Sequence, residues 1–150
     1  MKYKTSKVVV TENNERFDLK YHAAQDYGRY DFLTDMVKLE DMRNNEHDFQ
    51  SGYCVLLTND HLYWDGSKRK EYASKQFEIK DSEILKGTRV WEKIDLGKIT
   101  KCRRKAIELT NEYKVHWLLF DNSLKEKGFD SGLFKYLVVE IKNDVIHYVV

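Results

Sequence analysis

The chain of 150 residues contains no proline, although average usage of about 5% would put roughly seven in this length. No function follows from that absence. Cysteine is nearly as scarce. Cys54 and Cys102 lie far apart and neither belongs to a C-x-x-C pair, which leaves both a disulfide framework and a zinc site without support. Cys54 falls in an apolar run and reads as a buried core thiol. No stretch approaches the roughly 18 uninterrupted apolar residues of a spanning helix, and MKYKTSKVVVTENN at the start has no signal-peptide apolar region. The expected compartment is therefore the cytoplasm, with no membrane partner.

Excess charge is also missing. Net charge is +1, so no molecule-wide field draws the chain to nucleic acid or to a membrane, and any polyanion site has to be local. Two basic runs qualify. KITKCRRK carries Lys98, Lys101, Arg103, Arg104 and Lys105, and a smaller run spans Lys68 to Lys70. Solvated surface is the alternative for both. Several catalytic signatures are absent as well: G-x-S-x-G, the phosphate-cradling G-x-x-x-x-G-K-[ST], H-E-x-x-H and G-x-G-x-x-G. The histidines at 22, 47, 61, 116 and 147 show no paired metal spacing.

What is present describes a globular protein. Hydrophobic residues make up 41% and charged residues 34%, with three Trp, ten Tyr and seven Phe, too aromatic for a disordered chain. The length suits a single domain, 1–150. Lys2 to Val10 is rich in β-branched residues and Phe17 to Tyr21 alternates, with Asn13-Asn14 between them able to take a turn's φ > 0 positions. This predicts a β-hairpin. Asp26 is placed to cap a helix over Tyr27 to Arg43, in which Phe32, Leu33, Met36, Val37 and Leu39 face the core. Asp31, Thr34, Asp35, Lys38 and Asp41 then fall on the wetter side.

The continuous apolar run Gly52 to Thr58 predicts a central strand covered by helices on both sides, and a β-α-β unit with the opening strand. Asn59-Asp60-His61 marks a turn at its C-terminal end, a position that often contacts ligands in α/β sheets. Short strands are expected at Gln76 to Ile79, Arg89 to Trp91, Ala106 to Thr110, Tyr113 to Phe120, Phe134 to Ile141 and Val145 to Val150, with a turn at Asn143-Asp144. The fold class is α/β (α+β), with one main helix and a β-rich second half.

A series of phrases recurs in order: Lys2-Tyr3-Lys4-Thr5, Ala24-Gln25-Asp26 with Arg29-Tyr30-Asp31-Phe32, Lys38-Leu39-Glu40, Gly52 to Asp60 followed by Tyr63-Trp64, and Phe134 to Glu140. Together they resemble an uncharacterised bacterial family of restriction-endonuclease-like build, within the PD-(D/E)xK nucleases, over nearly the whole chain. The resemblance implies a mixed sheet and an opening strand reading Glu-x-Lys-Tyr-Lys-Thr, the second half of the catalytic motif. There an Asp and a Glu hold Mg²⁺, which activates a water against a DNA phosphodiester, and the Lys stabilises developing charge.

On this sequence Lys2 is the motif lysine, the catalytic residue the resemblance implies, and Met1 stands at x. The Glu and Asp positions fall upstream of Met1, so the chain is expected to lack an N-terminal portion, to hold Mg²⁺ only with those carboxylates, and to be inactive alone. The resemblance also implies nucleic-acid contacts from Gln25, Asp26, Arg29, Asp31, Asn59 and Asp60. Each has a structural alternative. Asp26 can serve as a helix cap, Arg29 can pair with a carboxylate about one turn away, and Asn59 and Asp60 with Tyr63 and Trp64 can be a turn followed by core aromatics. The expected partner is DNA. The rival reading keeps the fold as a non-catalytic module for nucleic acid or protein.

Overall fold

Residues 1–143 are described by a computed structural model. A four-stranded mixed sheet, in the order β1-β4-β8-β7, is built from β1 (Lys2–Lys4), β4 (Ser51–Thr58), β7 (Trp117–Asp121) and β8 (Phe134–Lys142). Two hairpins flank it: β2 (Val8–Glu12) with β3 (Glu15–Leu19), and β5 (Ile84–Arg89) with β6 (Ile107–Lys114). The main helix is α1 (Gln25–Asn45), and a short α2 (Ser123–Glu126) precedes β8. Among the described residues no helix is long and apolar enough to cross a membrane.

β1 runs parallel to β4 across α1, with Lys2 opposite Leu56 and Lys4 opposite Thr58, which is the β-α-β unit read from the sequence. The segment Lys2 to Val10 is two strands rather than one. Thr5 is buried at the break, its hydroxyl donating to the Lys20 carbonyl at 2.5 Å, and the Ser6 N–H donates to Asn59 Oδ1 at 2.8 Å. These bonds turn the chain out of the sheet. The hairpin that follows is β2–β3, and Asn13 and Asn14 take φ of 51° and 63° at its turn, as a two-residue turn between twisted strands requires.

Helix α1 begins earlier than predicted, because Ala24 occupies the N-cap position with φ of 67° and without a side-chain cap. Asp26 is inside the first turn, where its carboxylate accepts from the Tyr27 N–H. Phe32, Leu33 and Met36 are buried, as the periodicity requires, and they pack with Leu56 of β4 and Leu137 and Ile141 of β8. Val37 and Leu39 are only half-buried. Glu40, also buried, reaches the other way: it accepts from the Thr110 and Asn111 N–H groups and from the Tyr113 hydroxyl, which docks the β5–β6 hairpin on the helix.

β4 is central, but only one of its faces is helix-covered. Cys54, Leu56 and Thr58 are buried towards α1, whereas Tyr53 is 57% exposed and Val55 and Leu57 are half-buried. The expected helix on its second side is replaced at the Leu57 end by the β2–β3 hairpin, whose Val8, Val10 and Phe17 line an apolar groove with Tyr3 and Leu57. Elsewhere β8 matches its prediction closely. Gln76 to Ile79 is not a strand, since Lys75–Phe77 forms a 3-10 turn that buries Phe77. β5 ends at Arg89, so Arg89 to Trp91 does not form the predicted strand. β6 passes straight through Asn111, and β7 begins only at Trp117. Val145 to Val150 and the Asp144 half of the predicted turn lie outside the described residues.

Candidate functional site

The residues singled out from the sequence divide between two places. Lys2 points from β1 to α1, where its ammonium lies 3.0 Å from Asp35, which also receives Lys38 at 3.1 Å. Burial works to raise the Asp35 carboxyl, but the two lysines hold it below its ordinary value. Further along the same strand, Lys4 approaches the first turn of α1, with its Cε 3.4 Å from the point a Cβ on Gly28 would occupy.

A Mg²⁺ ion needs several hard oxygen ligands in near-octahedral array. Around Lys2 there is one carboxylate, already engaged by two lysines. Among the described residues no three His, Cys, Asp or Glu side chains come together to hold a metal. The residues present do not fit the ion that the motif calls for, and no chemical step is derived through it.

The second place is an open cleft of about 940 Å³ at the start of α1. Its polar lining comes from Gln25, Asp26 and Arg29 of the helix, His61 after β4, and Lys68 and Arg69 of the following loop. Its apolar lining comes from Leu62, Ala73, Trp91, Ile94 and Ile99. The helix contributes its first turn, where the positive end of its dipole lies and Ala24 supplies no side-chain cap, although the Tyr27 N–H is already taken by the Asp26 carboxylate.

Gln25 is joined to Asp60 by a 2.8 Å bond from its amide, and it also donates to the Tyr21 hydroxyl at 3.1 Å. Asp60 is buried and its other oxygen accepts from the Leu62 N–H, capping the 3-10 turn His61–Tyr63. Arg29 is 4% exposed. It donates to the Leu62 carbonyl at 2.7 Å and pairs with Glu78 at 3.1 Å, while its Nε has no partner. Glu78 in turn accepts from the Tyr72 hydroxyl at 2.6 Å. Burial, with the Glu78 carboxylate beside it, pushes the Tyr72 phenol upward.

The remaining candidates turn elsewhere. Asp31 forms a two-pronged pair with Arg103, both contacts at 2.7 Å. Asn59 faces inward, accepting from Ser6 and donating to the Ser6 and Ser131 carbonyls. Tyr63 and Trp64 are buried core aromatics. Asp31 thereby consumes one cation of the larger basic run, and Arg104 of that run donates to the Ile99 and Gly97 carbonyls. Lys68, Arg69 and Lys70 are exposed, and among the described residues no ion pair engages them.

His61, Tyr72, Glu78 and Trp91 were not singled out as site residues from the sequence. They come from segments far apart in the chain, and the local signals for this cleft were the Lys68 to Lys70 charge run and the Asn59-Asp60-His61 turn. No family model, curated protein or solved structure matches the chain.

Proposed function

We propose that the chain is a nucleic-acid-binding domain of restriction-endonuclease-like build, which grips DNA phosphates at the mouth of the α1 cleft and does not cut DNA by itself. The observation that carries this reading is the pair of free cations Lys68 and Arg69, which line the cleft together with the first turn of α1, with exposed Lys70 next to them in the chain. Cations with no protein partner keep their charge available to an anion, and a helix N-terminus adds N–H donors in the same place. Asp26 and Asp65 also line the cleft, so the attraction is local and moderate. Lys2 is not part of this grip, since its ammonium is held by Asp35.

Phosphate contacts release counterions, so affinity falls as salt rises, by a log–log slope of about 0.9 per contact on duplex DNA. A fluorescent duplex titrated at low ionic strength is expected to bind in a salt-sensitive manner. Replacing Lys68, Arg69 and Lys70 together by Ala should weaken binding and lower that slope by about two or three. Absence of salt-sensitive association in the unaltered protein, or an unchanged slope in the triple variant, overturns the reading.

A further inference from the structure

The four-stranded sheet buries one face against α1 and leaves much of the other in water. Strand register fixes which side chains share that second face: Tyr3 of β1, Leu57 of β4, Tyr136 of β8 and Leu118 of β7 stand side by side across all four strands. Val55 and Val138 form the next row, and Tyr53 lies opposite Glu140 beyond them. Phe120 sets its ring edge-on to Tyr136, with centroids 6.4 Å apart. Among the described residues this face is covered only in part, by the β2–β3 hairpin and Leu124 at the Leu57 end. We propose that it is a homodimer interface, on which a second copy of this chain stacks its own sheet about a two-fold axis. This goes beyond the nucleic-acid reading and does not depend on it, because α1 packs against the other face.

Area and charge name the occupant. Tyr3, Phe17, Tyr53 and Phe120 are 42%, 52%, 57% and 63% exposed, so at roughly 200 Å² per aromatic side chain these rings alone leave about 400 Å² in water. Leu118 and Val138, each 40% exposed, and the half-buried Val55, Leu57, Phe134 and Tyr136 carry the face beyond the roughly 300–600 Å² of a monomer's largest apolar patch. It approaches the ~800 Å² that each partner gives to a stable interface. The charges on this side of β8, Glu140 and Lys142, sit at its end and lie 3.9 Å from each other, and Glu140 also accepts from the Tyr53 hydroxyl at 3.0 Å. With no net charge to select a foreign partner, the face is complementary to a copy of itself, and a two-fold axis satisfies both copies with one set of contacts. Two such faces stack about 10 Å apart, as the sheets of a β-sandwich do.

The test is sedimentation velocity of the unaltered chain from about 1 to 100 µM, because interfaces of this size bind at micromolar affinity or tighter. A dimer is expected. Phe120→Lys and Val138→Lys each place an unpaired cation in both halves of the interface and should raise the dissociation constant about a hundredfold or more. Leu119→Lys should leave the dimer intact, since Leu119 is 56% exposed but points to the other side of β7. Should Val138→Lys not fold, Phe120→Lys decides, its position being 63% exposed. A monomer at every concentration gives the face to another occupant and overturns the inference. So does a dimer that persists in both face variants, or one that Leu119→Lys dissociates as strongly as they do, which would place the contact at the edge of β7.

Discussion

Glu40 shows how much one side chain can carry. The residue is 1% exposed, and its carboxylate receives two backbone N–H groups and one hydroxyl from β6. Removing a buried acceptor leaves its donors desolvated and unpaired, a loss that exceeds the gain of the original bonds. Glu40→Ala should therefore lower stability by about 3 kcal/mol or more, read from urea denaturation, while Glu40→Gln keeps an acceptor and costs less. A loss under about 1 kcal/mol for the alanine variant would remove Glu40 as the anchor of the hairpin. The sequence placed Glu40 in a recognisable phrase but carried no sign of its burial, because its partners lie some seventy residues on. Arg29 has the same history. A carboxylate about one turn away was the natural partner, and packing supplied Glu78 instead.

At the scale of an element, α1 is constrained at Gly28 by what packs against it. Glycine in a helix interior costs about 1 kcal/mol relative to alanine, yet a Cβ here would lie 2.1 Å from the Tyr63 hydroxyl. Tyr63 is fully buried and cannot swing away. Overpacking of this kind costs about 1–3 kcal/mol, which offsets the helix gain. Gly28→Ala should thus lower the melting temperature. Tyr63→Phe removes a buried hydroxyl that has no partner, so it should be neutral or mildly stabilising, and the double variant should recover most of the loss. Recovery in the double variant is the informative measurement: if Tyr63→Phe does not relieve Gly28→Ala, the close approach is not the cause. The turn Asn13–Asn14 was legible for the opposite reason, since asparagine tolerates positive φ through its own backbone chemistry and needs no distant partner.

For the molecule as a whole, the acid and base groups hidden by folding set an alkaline limit. Burial pushes the Cys54 thiol from its ordinary 9.0 up to about 11. Burial, helped by the Glu40 carboxylate, raises Tyr113 from 10.0 to about 12. Burial likewise raises Tyr63 and Tyr72. Each of these groups holds its proton more tightly folded than unfolded, so the unfolded chain ionises first as pH rises. Their contribution is intact below 9.0 and is lost progressively from there through about 11 for Cys54 and about 12 for Tyr113. Melting temperatures should fall over that window, and Cys54→Ala should flatten its first part. A profile level to pH 11 would show that these groups are not held protonated by the fold.

What the sequence determined by itself was whatever depends on near neighbours in the chain. The 3.6-residue spacing of Phe32, Leu33 and Met36 marked the core face of α1, the apolar run of β4 implied a crossover to β1, and the alternation in β8 marked its buried face. Those patterns are legible because helix and strand geometry repeats over a few residues and burial selects one face. Tertiary structure alone decided which side chains meet. It joined Gln25 to Asp60, Arg29 to Glu78 and Asp31 to Arg103, set Lys2 against Asp35, and placed Lys68 and Arg69 at the cleft with no ion pair among the described residues. Such pairings depend on how the hairpins and loops close over the helix, and charged residues of like type are interchangeable on paper until packing brings a particular donor within about 3 Å of a particular acceptor.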